Sequence, residues 1–122
     1  MNTILLRLEQ QELTEHHIYS RLATLTHNEH NAAILKKIAA QEKSHYELWK
    51  SITQRDVKPR RFMIWWYTNL ARIAGLNFAL KLMEYGEENA QKIYEQLSST
   101  YPELKRIVIE EQAHEQELLD LI

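Results

Sequence analysis

Residues 35–52 read LKKIAAQEKSHYELWKSI, an apolar helical stripe with two polar residues set inside it. The stripe recurs at spacings of three and four and consists of Leu35, Ile38, Glu42, His45, Trp49 and Ile52. Residues with these spacings share one face of an α-helix. We therefore expect the carboxylate of Glu42 and the imidazole of His45 to point into the core, beside the leucine and isoleucine side chains.

A second stretch, LKRIVIEEQAHEQEL at residues 104–118, repeats this pattern with Glu111 and His114. Its inward positions are Leu104, Ile107 or Val108, Glu111, His114 and Leu118. Burying an ionised carboxylate is costly unless a counter-charge meets it. Buried Glu–His or Glu–Lys pairs alone are a poorer account, because they supply too few cations for the inward carboxylates. Two Glu-x-x-His pairs on core faces therefore predict a shared cation inside a helix bundle.

The composition describes a single domain over residues 1–122 with long helices and few turns, since the chain has two Gly and two Pro. The absence of Cys excludes disulfides, Cys-based zinc sites, iron–sulfur clusters and thiol nucleophiles. A formal net charge of −2 does not indicate the basic surface that binds nucleic acid, so we expect no such partner. The first residues do not read as a signal peptide and no run of ~18 apolar residues occurs. We expect a cytoplasmic protein.

The hydrophobic periodicity predicts an all-α chain with four main helices, at about 3–26, 29–53, 76–98 and from 102 onward. Asn28 is the predicted N-cap of the second helix. Residues 62–76 form an apolar segment that ends near Gly75. If residues 62–98 were one helix, the inward carboxylates would lie out of register by about 20 Å, at ~1.5 Å per residue.

A break at Gly75 removes this mismatch by making residues 54–75 a crossover that carries a short helix. One long crossover between the second and third helices is the connection of a ferritin-like four-helix bundle. A continuous third helix exchanged between two chains would also restore the register. The sequence leaves the closed bundle and the exchanged dimer as alternatives.

The two halves of the chain are similar around the predicted site. Glu12 precedes Tyr19 by seven residues in the first helix, and Glu87 precedes Tyr94 by seven in the third. Each of the four helices thus presents a carboxylate inward, and two of them add a His one turn away. This is the constellation of di-iron and di-manganese carboxylate proteins.

The residue types suggest a role for each ligand. Glu42 and Glu111 are suited to bridge two metal ions, and His45 and His114 each bind one of them through a neutral nitrogen. Glu12 and Glu87 (or Glu84) complete the coordination of the metal ions. Alternatively, Glu84 faces solvent and binds no metal. Tyr19, Tyr94 and Glu15 are expected beside the ligands, where they would hydrogen-bond to them. Carboxylates with imidazoles suit Fe or Mn and would also accept Zn.

The motif set resembles the rubrerythrin branch of the ferritin-like superfamily. The similarity is strongest to the ferritin-like domain fused to membrane iron transporters of the vacuolar-iron-transporter type. It is carried by LTEHHIYSRLA at 13–23, AGLNFALKLMEYGEE at 74–88 and EEQAHEQELL at 110–119. The ligands that this resemblance implies are Glu12, Glu42, His45, Glu84, Glu87, Glu111 and His114. Unlike full rubrerythrins, the chain has no Cys for a rubredoxin-like module, and it has no transmembrane part.

The resemblance implies a protein that holds two iron ions and oxidises Fe(II) with dioxygen or peroxide. Release of Fe(III) would be ferroxidase-like, and re-reduction by an external electron donor would be peroxidase-like. A second hypothesis is a non-catalytic domain that senses iron or delivers it to a membrane iron transporter. A third is a metal-free helical interaction domain, in which Glu42→Gln would raise stability and change nothing else.

The segment KPRRFMIWWY at residues 58–67 combines basic and aromatic residues. It could lie on a membrane surface. The preferred interpretation is that the crossover helix packs Trp65 or Trp66 into the core or against a second copy of the chain. The second case would give a homodimer.

Overall fold

The computed structural model describes the backbone of residues 2–121 and all of their side chains except those of residues 2, 86–91, 103, 115 and 118–121. Over this range the chain is all-α, without a β-strand. The helices are α1 (Asn2–Leu25), α2 (Glu29–Thr53), α3 (Arg61–Ala74), α4 (Leu76–Leu97) and α5 (Lys105–Leu121), with a 3₁₀ turn at Pro102–Leu104. The third and fourth helices of the sequence analysis are α4 and α5.

The turn between α1 and α2 has the predicted cap. The side chain of Asn28 accepts a hydrogen bond from the backbone N–H of Asn31 at 3.1 Å, which satisfies one of the free amides of the first turn. At its other end α2 stops at Gln54, whose left-handed backbone (φ 58°) lets its N–H bond to the carbonyl of Lys50. The two long helices α1 and α2 pack against each other along their length.

The crossover connects the two halves of the chain. Its N-terminal part is fixed to α1, since the amide of Gln10 donates to the Lys58 carbonyl at 3.0 Å and the Arg60 N–H donates to Thr14 Oγ1 at 2.9 Å. The helix α3 packs on both α1 and α4, and α5 packs against α4 and α2. A single residue, Gly75, with φ 99°, separates α3 from α4. The predicted break at Gly75 is confirmed.

Buried apolar side chains form two clusters at different levels of the helices. One contains Ile18, Tyr19, Leu22, Leu35, Ile38, Ile64, Leu80 and Met83, together with four alanines. The other contains Leu5, Leu8, Trp49, Tyr94, Leu104 and Ile107. Glu12 lies between Leu8 and Ile18 along α1, and Glu42 and His45 lie between Ile38 and Trp49 along α2. A layer of buried polar residues is therefore enclosed by apolar packing on both sides.

The helix α3 has apolar residues on two faces. Ile64, Thr68 and Ala71 are buried against the rest of the protein. On the opposite face Trp65 and Trp66 are 60% and 45% exposed. The expectation that one of these tryptophans packs into the core of the chain is therefore wrong, because the inward positions of α3 are occupied by smaller residues.

None of the helices within residues 2–121 is both long enough and apolar enough to cross a membrane.

Candidate metal centre

Three helices bring five ionisable side chains into the polar layer. Glu12 comes from α1, Glu42 and His45 from α2, and Glu111 and His114 from α5. All five are almost fully buried, with at most 3% of their surface exposed. The i, i+3 spacing of each Glu-x-x-His pair places both side chains on the inward face of its helix, as the sequence predicts.

The imidazole nitrogens face the carboxylates at short range. His45 Nδ1 lies 3.1 Å from Glu111 Oε1, 3.5 Å from Glu12 Oε2 and 3.7 Å from Glu42 Oε1. His114 Nδ1 lies 3.0 Å from Glu42 Oε1 and 4.0 Å from Glu111 Oε2. The two rings are stacked with their centroids 5.9 Å apart. Glu42 and Glu111 therefore each lie within 4.0 Å of the Nδ1 atoms of both histidines.

Four of these residues form a set that could hold a metal ion. One ligand atom from each of Glu12, Glu42, His45 and Glu111 lies within 4.8 Å of the others. Metal–nitrogen and metal–oxygen bonds of about 2 Å need ligand atoms about 3 Å apart, so small side-chain rotations would complete such a shell. His114 adjoins the set through its contact with Glu42.

The oxygen and nitrogen atoms of this cluster are better satisfied by a cation than by hydrogen bonds to one another. The buried atoms without a hydrogen-bond partner include Glu12 Oε2, both Glu42 oxygens, Glu111 Oε1 and the Nδ1 atoms of His45 and His114. A buried polar atom left unpaired costs about 1–3 kcal/mol. These atoms are acceptors when the acids are ionised and the imidazoles neutral, so a cation would satisfy them together.

Each imidazole is also held on its outer side. Nε2 of His45 contacts the carboxylate of Glu110, and Nε2 of His114 contacts the amide oxygen of Gln41. These contacts direct both Nδ1 atoms towards the carboxylates, as outer partners of metal-binding histidines do. Neither Gln41 nor Glu110 was predicted. The signal present in the sequence is that each immediately precedes the Glu of a Glu-x-x-His pair. In the structure each contacts the His of the other pair.

Tyr94 and Tyr19 are both buried, and Tyr94 makes the predicted hydrogen bond to a ligand. The Tyr94 hydroxyl donates a hydrogen bond to Glu12 Oε1, and the Tyr94 ring stacks on Trp49 with centroids 5.7 Å apart. Tyr19 is 0% exposed and lies in the other apolar cluster. Tyr94 therefore fixes one oxygen of Glu12 and leaves Oε2 facing His45.

The carboxylates perturb one another strongly. Burial, together with the charges of Glu111 and Glu12, raises the pKa of Glu42 well above its ordinary value. Burial and the charge of Glu12 also raise the pKa of Glu111. Burial acts in the same direction on Glu12, but interactions with Glu42, His45 and Tyr94 outweigh it and lower the pKa of Glu12. Without a cation, the cluster therefore keeps protons that metal ions would displace.

The two histidines differ in their affinity for a proton. Burial acts to lower the pKa of His45, but Glu111 and Glu12 outweigh it and raise that pKa to about 11. Burial and the charge of His45 lower the pKa of His114 to about 4. In the absence of metal, His45 carries the positive charge of the cluster and His114 is neutral.

The remaining predicted residues lie at the edge of the cluster. Glu15 is half-buried, and desolvation with the charges of Glu12 and Glu111 raises its pKa to about 8. It lines a cavity of about 280 Å³. Glu84 is half-buried and is not one of the four residues with ligand atoms within 4.8 Å. The side chain of Glu87 lies outside the described residues, so its role as the α4 ligand stays a prediction.

One buried acid was not predicted. Glu9 is 0% exposed, accepts a hydrogen bond from the Thr53 hydroxyl, and has a pKa raised by burial. It lies one turn before Glu12 on α1, but it is bonded to the end of α2 rather than to the histidines.

Comparison with known proteins identifies no relative of this chain. The chain matches no family model, and no significant match occurs among curated proteins or solved structures. Within the described residues, the site is a buried group of three glutamates and a histidine that could hold a metal ion.

Proposed function

We propose that the chain is a ferritin-like di-iron carboxylate protein that binds Fe(II) and oxidises it with dioxygen or peroxide. The observation that carries this proposal is the convergence of unpaired donor atoms from three buried glutamates and two buried histidines. Few arrangements other than a metal centre use so many buried acids without a buried lysine or arginine among them.

The donor set favours iron or manganese over softer metals. Carboxylate oxygens and imidazoles are its only ligand types, because the chain has no Cys. Three ionised glutamates and two neutral histidines carry three negative charges, against four positive charges for two Fe(II) ions. A further carboxylate from α4, Glu84 or Glu87, would bring the site to electroneutrality. This supports the predicted ligand on the third main helix.

The residues around the site have identifiable tasks. Glu110 and Gln41 orient the imidazoles, and Tyr94 orients Glu12. The apolar clusters above and below the layer limit the access of water. The protons held by Glu42 and His45 are released when Fe(II) takes their place. Each bound Fe(II) would give one electron to the oxidant, so two Fe(II) and one hydrogen peroxide with two protons would give two Fe(III) and two waters.

The connection of the helices supports the ferritin-like part of the proposal. The hairpins α1–α2 and α4–α5 hold the predicted ligands, with the α4 carboxylate still a prediction, and the crossover with α3 lies between them. A closed four-helix bundle with one long crossover places all four ligand helices around one centre. As part of this proposal we place the chain in the rubrerythrin branch, because its ligand motifs resemble those of that branch.

A second candidate is a non-catalytic iron-sensing or iron-delivery domain. The observation in its favour is that the four ligand atoms within 4.8 Å describe a single cation position. A single position suits reversible binding, whereas two-electron oxidation of Fe(II) uses a pair.

Anaerobic Fe(II) titration of the metal-free protein, followed by air or peroxide, tests the proposal. We expect two Fe(II) per chain and a near-ultraviolet absorption band after oxidation, both reduced in Glu111→Ala. The matched control is Glu47→Ala, which removes an exposed glutamate of α2 and leaves the cluster intact. One reversibly bound Fe(II) without oxidation would favour the delivery domain, and absence of binding would contradict both.

A further inference from the structure

The outward face of α3 carries a stripe of four large, exposed apolar side chains, interrupted by Asn69 between Trp66 and Ile73. Phe62, Trp65, Trp66 and Ile73 follow one another at spacings that share a helix face, and they are 68%, 60%, 45% and 86% exposed. The rings of Phe62 and Trp65 lie with centroids 5.9 Å apart. From Phe62 to Ile73 the stripe extends for about 16 Å along the helix axis, at 1.5 Å per residue. An exposed stripe of this kind indicates an interaction surface.

The same segment is strongly basic. Residues 54–75 hold five Lys or Arg residues and one acidic residue, in a chain with a formal net charge of −2. The acid, Asp56, pairs with Lys50 at 2.6 Å. Arg61 and Arg72 stand near the two ends of the aromatic stripe and are exposed. The segment therefore has the opposite charge to the chain as a whole.

A groove beside the stripe collects cationic side chains. It has a volume of about 520 Å³, and its lining includes Arg21, Arg61, Arg72, His17 and Trp65. No acidic residue of the described chain lines it. Three guanidinium groups without a carboxylate among them suit a phosphate group, to which Arg donates two hydrogen bonds at once.

The charge distinguishes between possible occupants of this face. A second copy related by two-fold symmetry would bring the same basic residues together, and like charges across an interface are unfavourable. An anionic bilayer surface provides phosphates for the groove and an interfacial layer in which Trp side chains are favoured. An amphipathic helix with aromatic residues on one face and Arg beside them is the form that binds in this layer.

We propose that α3 is a membrane-surface helix that binds anionic phospholipid bilayers through its aromatic stripe and the arginine groove. Phe62, Trp65, Trp66 and Ile73 enter the interfacial layer, and Arg61, Arg72 and Arg21 contact lipid phosphates. The inference is independent of the metal centre, because none of these residues belongs to the layer of buried polar side chains.

Sedimentation of the full chain with phosphatidylcholine vesicles and with mixed phosphatidylcholine–phosphatidylserine vesicles tests this proposal. We expect binding to the anionic vesicles and weakening of that binding at high salt, since salt screens charges at the surface. Tryptophan emission should shift to shorter wavelength on binding. The shift reports Trp65 and Trp66, because Trp49 is already fully buried in the core.

Two variants separate the apolar and charged contributions. Trp65→Ser should weaken binding at least about tenfold, and the double variant Arg61→Gln, Arg72→Gln about 25-fold, from roughly fivefold per basic residue near an anionic surface. The controls are Ile109→Ser, an equally exposed apolar residue on α5, and the double variant Lys36→Gln, Lys105→Gln. Both controls should bind vesicles like the unmodified chain, and helix content by circular dichroism confirms folding of every variant.

Three outcomes would overturn the proposal. One is equal binding to neutral and anionic vesicles, which would remove the role of the groove. Another is no sedimentation with anionic vesicles by a chain of normal helix content. The third is a homodimer that Trp65→Ser dissociates without any vesicle binding, which would give this face to a second copy.

Discussion

Nε2 of His45 contacts the carboxylate of Glu110, a residue of α5, while the equivalent nitrogen of His114 contacts the neutral amide of Gln41 on α2. The two contacts are related by the internal repeat but differ in charge. A carboxylate on the outer nitrogen makes an imidazole a stronger metal ligand than an amide does. The two imidazoles should therefore bind metal with unequal strength.

The first prediction follows from this difference. Glu110→Gln should weaken metal binding at His45 about tenfold, and Gln41→Glu should strengthen binding at His114. Titration with Co(II), followed by its visible absorption, measures both positions. The exchange of both residues in one chain should reverse the order in which the positions fill. Equal affinities in all of these variants, with Glu47→Gln as the control, would contradict the assignment.

The second prediction concerns Glu42. Because its pKa is raised, Glu42 in the folded, metal-free protein keeps its proton at pH values above about 4.5, where the unfolded chain loses it. This group therefore reduces the stability of the metal-free protein as pH rises above that value. Glu42→Gln should stabilise the metal-free protein at pH 7 by about 1–3 kcal/mol, measured by denaturant unfolding. It should also abolish the increase in Tm that Zn(II) produces in the unmodified chain.

A Glu42→Gln variant that is more stable and still gains the full Zn(II) effect would remove Glu42 from the metal site. The matched substitution Glu47→Gln, at an exposed position of the same helix, should change neither quantity.

The third prediction is a pH dependence of metal affinity. The pKa of His45 is raised to about 11, so its Nδ1 stays protonated in the metal-free protein throughout pH 6–8. Each metal ion bound there must displace that proton, and the apparent affinity should rise about tenfold per pH unit. Calorimetry in two buffers of different ionisation enthalpy would detect the released proton. An affinity independent of pH over this range would show that metal binding does not displace a proton from His45.

The fourth prediction concerns Tyr94. Tyr94→Phe keeps the ring beside Trp49 and removes the hydroxyl that donates to Glu12. A hydrogen bond to a charged group contributes about 1.5 kcal/mol or more, so metal affinity should fall about tenfold. Zn(II) competition titration measures the effect. Tyr46→Phe, which alters a half-buried tyrosine on α2, is the control and should leave affinity unchanged.

Most of the helical arrangement could be predicted from periodicity and breakers. The limits of α2 agree with the predicted 29–53, and its cap at Asn28 is present. The break at Gly75 followed from the requirement that the inward carboxylates share one level. The five buried site residues were predicted because polar residues interrupt otherwise apolar stripes.

The remaining features depend on contacts between helices, which periodicity along one helix does not describe. Gln41 and Glu110 lie one position off the apolar stripes, so they reach the histidines only when α2 and α5 face each other. The burial of Glu9 depends on its bond to Thr53 at the end of α2. The expectation that Trp65 or Trp66 packs into the core was wrong because both faces of α3 are apolar, and the sequence does not indicate which one packs inward.

Gly75 also bears on how the protein assembles. Its φ of 99° is strained for any residue with a side chain, although a Cβ there would meet no atom within 4 Å. The obstacle to substitution is therefore the backbone torsion and not space. An alanine at this position would favour a straight helix from Arg61 to Leu97, which would carry α4 and α5 away from their own α1 and α2. We therefore expect this torsion angle to decide whether the ligands of the proposed centre come from one polypeptide or are exchanged between two.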